Sequence, residues 1–169
     1  LEKQSTIKSM VQLAVLRGIP EHAGRLIESA MAADLLPEDE DYFEMLAVAY
    51  NAAKEREKAI FAYEKMAAHS TSGDPWIAIS NIYVEQGEWK NAERALKKAL
   101  DKKLATAGKA WLLLGISQTE QERFSAAKMS LKKAQAFAET ERSASRWLKY
   151  ADDMRRQSEW VSEFRDANG

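Results

Sequence analysis

Residues 75–100 read PWIAISNIYVEQGEWKNAERALKKAL, and the folding of this stretch decides the fold of the chain. Trp76, Ile79, Ser80 and Tyr83 fall at the i, i+3, i+4 and i+7 spacing of one helix face. Gly87 interrupts that pattern within the polar segment Glu85–Trp89, where a glycine supplies a turn or a close backbone approach. Ala92, Leu96, Ala99 and Leu100 then restore the period, so the stretch predicts two helices folded back on each other. Ser80 and Ala92 are small enough for the two backbones to approach closely, with Trp76 and Tyr83 filling the space beside them. Asp74–Pro75 marks the start, because aspartate caps a helix and proline suits its first position.

Shifted along the chain, the same pattern recurs. Ala23 to Ala59 is 36 residues, Ala59 to Ala92 is 33 and Ala92 to Ala127 is 35. Each alanine has matching neighbours: Ile27/Ala30, Tyr63/Met66, Leu96/Ala99 and Leu131/Ala134. The preceding helices match as well, Phe43, Leu46, Ala47, Tyr50 and Trp111, Leu114, Gly115, Gln118 answering Trp76, Ile79, Ser80, Tyr83. A period of about 34 residues with a bulky aromatic, a Leu–small pair and a later alanine resembles the tetratricopeptide repeat family over residues 4–138. The resemblance implies an all-α fold, a right-handed superhelix (α-solenoid) of antiparallel helix pairs. A single domain over 1–169 is expected, with repeats at about 4–37, 40–72, 73–107 and 108–138. A capping helix at about 140–160 follows, with Trp147 and Leu148 docked on the fourth unit and a more polar remainder.

The least typical unit is the first, where Ile7 stands in place of an aromatic beside Met10, Val11 and Ala14. Gly18 and Pro20 mark its turn. His69–Asp74 is a turn cluster, not a linker, and Asp166–Gly169 is expected to fray. The chain begins at Leu1 without an initiator methionine or signal-peptide pattern, which reads as a fragment, Leu1–Glu2 being a cloning scar. An apolar end exposed at Ile7, Met10 and Val11 would permit homo-oligomerisation.

Composition narrows the partners. Lys and Arg number 25 against 26 Asp and Glu, a net charge of −1, which gives no general attraction to nucleic acid or to anionic membrane. No apolar run is long enough to span a bilayer. Without cysteine there is neither disulfide nor thiolate metal site. His22 and His69 lie far apart and lack a second histidine at ligand spacing. The carboxylates at Glu38–Asp41 and at Glu55/Glu57 fall near loops or solvent faces, and the glycines are isolated, not gathered in a phosphate loop. No enzyme, no metal and no cofactor is expected. The aromatic residues Phe43, Tyr50, Trp76, Tyr83 and Trp111 are expected to pack, and the Lys97–Lys98 and Lys132–Lys133 pairs to be solvated.

In tetratricopeptide proteins the first helix of each pair lines a concave groove, and the resemblance carries this over to residues between the packing positions. These are Lys8, Gln12 and Val15, then Glu44, Val48 and Asn51, then Ile77, Asn81, Val84 and Glu85, and finally Leu112, Ile116 and Thr119. Asn51 and Asn81 can bond both donors and acceptors of a peptide backbone. The valines, isoleucines and Leu112 make the groove partly apolar, which suits a helix or extended peptide better than a carboxylate-clamped tail.

Residues 98–150, with Lys98–Leu104, Ala110–Gly115, Arg123–Ala134 and Ser143–Tyr150 around Trp147-Leu148-Lys149-Tyr150, also look like the end of periplasmic tetratricopeptide proteins associated with proteobacterial TonB systems. That resemblance implies a periplasmic, non-catalytic adaptor contacting inner-membrane TonB-system components in iron-chelate uptake. The alternative is a cytoplasmic regulatory or co-chaperone module of a larger protein.

Overall fold

The computed structural model describes residues 2–168, with side chains from 3 to 166, so Leu1 and Gly169 lie outside the described residues. The described residues form nine helices: α1 (Glu2–Leu16), α2 (Pro20–Ala32), α3 (Glu40–Ala52), α4 (Arg56–His69), α5 (Asp74–Glu85), α6 (Trp89–Leu100), α7 (Ala107–Glu120), α8 (Phe124–Gln135) and α9 (Glu141–Asn168). They fall into two compact units, Leu1–Ile82 and Tyr83–Gly169, divided within α5. In the first unit α1 packs on α2, α2 on α3 and α3 on α4; in the second, α6 packs on α7, α7 on α8, and α9 covers α8 and α7. The architecture is the all-α, antiparallel helix-pair solenoid of the tetratricopeptide fold with a C-terminal capping helix.

The repeat register is visible in the cores. Ala23, Ala59, Ala92 and Ala127 are each 0% exposed, at the places where a larger side chain would push the paired helices apart. Ile27, Leu96 and Leu131 are equally inaccessible, and Tyr63 is buried. Two glycines serve the same end. A Cβ on Gly24 would meet the Tyr50 ring at 2.7 Å, and one on Gly115 would meet Leu131 Cγ at 2.5 Å.

Each turn inside a pair uses one geometry. The Ile19, Glu55, Glu88 and Arg123 amides donate to the carbonyls of Ala14, Tyr50, Tyr83 and Gln118, five residues back. The residue before each donor, Gly18, Lys54, Gly87 or Glu122, has a φ between +57° and +73°. This is the Schellman closure of a helix, and glycine adopts it without strain. Lys54 and Glu122 adopt it at a steric cost. Lys54→Gly and Glu122→Gly are each expected to raise stability by about 0.5–1 kcal/mol in urea denaturation.

The helix starts differ in part from expectation. At α5 the Gly73 carbonyl accepts from the Trp76 and Ile77 amides, so Asp74, expected to cap, is the first helical residue, and its amide donates to the Ser72 hydroxyl at 3.1 Å. Asp39 caps α3 by accepting from the Tyr42 amide at 3.1 Å. In α1, Val11 and Ala14 are buried, whereas Met10, expected on the packed face, is half exposed beside the exposed Leu13, Val15 and Leu16. α9 outruns its expected end near residue 160 and stays helical through Asn168, where fraying was expected. No glycine or proline interrupts it after Glu141, and Arg155–Glu159 and Arg156–Asp153 pairs at 2.8 Å support its outer turns.

Candidate protein-binding surfaces

The groove positions read from sequence separate by exposure. In the first unit Lys8, Gln12 and Val15 on α1 and Glu44, Val48 and Asn51 on α3 are exposed, the last three in line at helical spacing. On α5, Asn81 and Glu85 are exposed while Ile77 and Val84 are half-buried. In the second unit Leu112 and Ile116 are half-buried. Thr119 is buried and its hydroxyl donates to the Gly115 carbonyl at 2.8 Å, which leaves it no free face for a groove contact.

The structure brings Leu112 together with residues that periodicity had assigned to capping. Leu112 on α7 and Ser143, Arg146, Trp147 and Tyr150 on α9 line a cleft of about 480 Å³. Trp147 and Tyr150 meet edge to face, ring centroids 5.2 Å apart at 88°, the arrangement favoured by the aromatic quadrupole. Trp147 is half-buried and Tyr150 exposed, so aromatic surface remains open beside the Arg146 guanidinium. The signal in the sequence was Trp147 and Tyr150 at i, i+3 on the capping helix. Of the aromatics expected to pack, Phe43 and Tyr50 are buried and the Phe43 ring stacks on His69 at 5.6 Å, while Trp76, Tyr83 and Trp111 are half-buried.

A second feature of this unit is a buried carboxylate. Glu93 of α6 is 3% exposed and binds Lys97 Nζ at 2.8 Å and Arg123 Nη1 at 2.5 Å. Gln118 Nε2 donates to it at 3.2 Å and Gln121 Nε2 at 3.0 Å, while the Ser130 hydroxyl donates to Gln118 Oε1 at 2.8 Å. Burial by itself would raise the Glu93 pKa, but the hydrogen bonds from Lys97, Gln118, Arg123 and Gln121 outweigh it and hold the group at about 2. The network ties α6 to α7 and to the turn before α8. Its carboxylate is buried, while the Lys97 and Arg123 side chains stay half exposed.

Among the described residues no group of three or more His, Cys, Asp or Glu could hold a metal ion, and no helix is long and apolar enough to cross a membrane.

An all-α stack of antiparallel helix pairs of this kind has a tetratricopeptide-like solenoid fold. The chain is similar to MamA from Desulfovibrio magneticus RS-1, with 16% identity and a TM-score of 0.71 over 96% of this chain and 91% of that one. It is similar also to the AMB-1 MamA, with 21% identity and a TM-score of 0.68 over 98% and 90% of the two chains. Pseudomonas aeruginosa PilF gives 17% identity and a TM-score of 0.63, covering 98% of this chain and 76% of that one. At such identities the likeness establishes the fold. No family model matches the chain, and no curated protein is similar to it in sequence. The expected periplasmic setting is corrected by this likeness, which runs chiefly to MamA and not to periplasmic TonB-system proteins. The strings that suggested it in residues 98–150 are those any helical pair of this class needs for packing: a buried Leu114–Gly115, the small Ala127 and Ala134, and a tryptophan on the cap.

Proposed function

We propose that the chain is a non-catalytic protein–protein interaction scaffold whose second unit holds an apolar segment of a partner in the cleft between α7 and α9. The observation that carries this reading is the open aromatic surface of Trp147 and Tyr150, flanked by Arg146 and floored by Leu112. Amphipathic aromatics beside an arginine are the residue types that anchor partner chains most strongly. One cation in a mainly apolar cleft suits an extended or helical segment with a large apolar side chain and a nearby carbonyl or carboxylate. The exposed line Glu44, Val48, Asn51 on α3 and the exposed Asn81 on α5 serve as secondary contacts. The likeness to MamA and PilF supports a general regulatory or co-chaperone-like module better than a TonB-specific adaptor.

A photo-crosslinking residue in place of Tyr150 identifies the partner from cells. The affinity of that partner is then expected to fall roughly tenfold, about 1.4 kcal/mol, with Arg146→Ala and again with Tyr150→Ala, at unchanged helicity. Both side chains are exposed, so the fold tolerates their loss. Unchanged affinity in both variants would remove the cleft from consideration.

A further inference from the structure

Charge is distributed unevenly over the helices. α6 carries Lys90, Arg94, Lys97 and Lys98 against Glu93 alone, and α8 carries three lysines and no acidic residue. In the first unit α2 has one arginine against two glutamates, and α4 three basic residues against two acidic ones. A chain of net charge −1 thus concentrates positive charge on two helices, and its one acidic group there is buried. Helices α6, α7 and α8 bound a separate cleft of about 370 Å³ on this basic side. Its floor includes Leu114 and the half-buried Trp111, and Met129 stands at its edge 65% exposed. Lys97, Arg123 and Lys133 surround that apolar patch, with Asp101 the one acidic side chain on the lining. Lys97 and Arg123 share the single Glu93 carboxylate, and Lys133 Nζ sits 4.0 Å above the Trp111 ring.

We infer that this cleft binds an acidic peptide segment carrying one large apolar side chain. The apolar side chain enters against the exposed Met129, a contact that an isolated solvated lysine face would not offer. Carboxylates on either side meet Lys133 and the Lys97–Arg123 pair, which keeps a net positive charge beside its one shared carboxylate. Arginine and lysine beside an exposed methionine combine charge steering with an adaptable apolar contact. A single-stranded nucleic acid fits less well: its bases need an open aromatic face, and that of Trp111 is covered by Lys133. The site is independent of the α7–α9 cleft, with which it shares no lining residue.

The probes are a fluorescent peptide of glutamates and serines with one central leucine, the same peptide with alanine at the centre, and oligothymidylate of matching charge. Saturable binding of the leucine peptide is expected. It should weaken roughly tenfold with alanine at the centre, with Met129→Ala and with Lys133→Glu, and less than about twofold with Lys90→Glu or Tyr150→Ala. Met129, Lys133 and Lys90 are exposed, so each variant is expected to keep its helicity by circular dichroism. Equal losses from Lys90→Glu and Lys133→Glu, indifference to the central leucine, tighter binding of the oligonucleotide, or no saturable binding would each overturn the inference.

Discussion

Replacing Gly115 with alanine is expected to destabilise the chain by about 2 kcal/mol, seen as a lower urea midpoint with an unchanged slope. The added Cβ would lie 2.5 Å from Leu131 Cγ and 2.6 Å from Cδ2, distances that real contacts do not reach. Leu131 is 0% exposed, so its side chain cannot swing into solvent to make room. The Leu131 backbone nitrogen is itself 3.2 Å from the same point, so α7 and α8 would have to separate. Opposing this, alanine is the better helix former by about 1 kcal/mol, which makes the net loss smaller than the clash alone. Two further variants separate these effects. Gly115→Ala in a Leu131→Ala background should recover most of its own loss, because the space it needs is then vacant, and the two changes should be strongly non-additive. A Gly115→Ala protein more stable than the parent would show that helix propensity wins and that the close approach is not tight.

Gly24 is the corresponding contact in the first unit, but its neighbour is the Tyr50 ring, planar and 0% exposed, at 2.7 Å. A ring can slide within its plane where a branched leucine cannot, so the loss there should be the smaller of the two.

Helix pairing was legible in the sequence for a physical reason. At Ala23, Ala59, Ala92 and Ala127 the backbones cross, and only small residues fit, so crossing geometry writes itself into the sequence at a fixed period. Turns were half legible. Gly18 and Gly87 announce a left-handed φ, whereas Lys54 and Glu122 take the same conformation with side chains that give no sign of it. Of the groove residues, those on α1 and α3 with Asn81 and Glu85 are exposed, Ile77, Val84, Leu112 and Ile116 are half-buried, and Thr119, at the same helical spacing, is buried and bonds its own helix carbonyl. The aromatic cleft escaped notice because Trp147 reads as core wherever a capping helix must be buried. A half-buried tryptophan and a fully buried one have the same letter. Glu93 was invisible for a different reason. Its partners Gln118, Gln121 and Arg123 lie 25, 28 and 30 residues away, on the next pair, and no local pattern reports hydrogen bonds across pairs.

The substitution Glu93→Gln is expected to cost about 2 kcal/mol at neutral pH and almost nothing near pH 2. The carboxylate is accessible to only 3% and lives on four donors, so it replaces lost hydration with hydrogen bonds from Lys97, Gln118, Arg123 and Gln121. A glutamine keeps the shape but removes the charge, and its amide NH₂ faces donors where the carboxylate offered acceptors. Lys97 and Arg123 are half exposed and can return to water, which keeps the loss below that of breaking a wholly buried pair. The sign of the pH dependence follows from the depressed pKa. Unfolded, the group titrates near 4.5; folded, near 2. Its contribution is therefore complete above about pH 4.5 and is lost as pH falls towards 2, because the unfolded chain takes up the proton first. Urea denaturation of parent and variant at pH 7 and again near pH 3 should show the gap between them closing. A gap that stays constant would mean that the glutamine perturbs packing, and that ionisation of Glu93 is not what fastens α6 to the following pair.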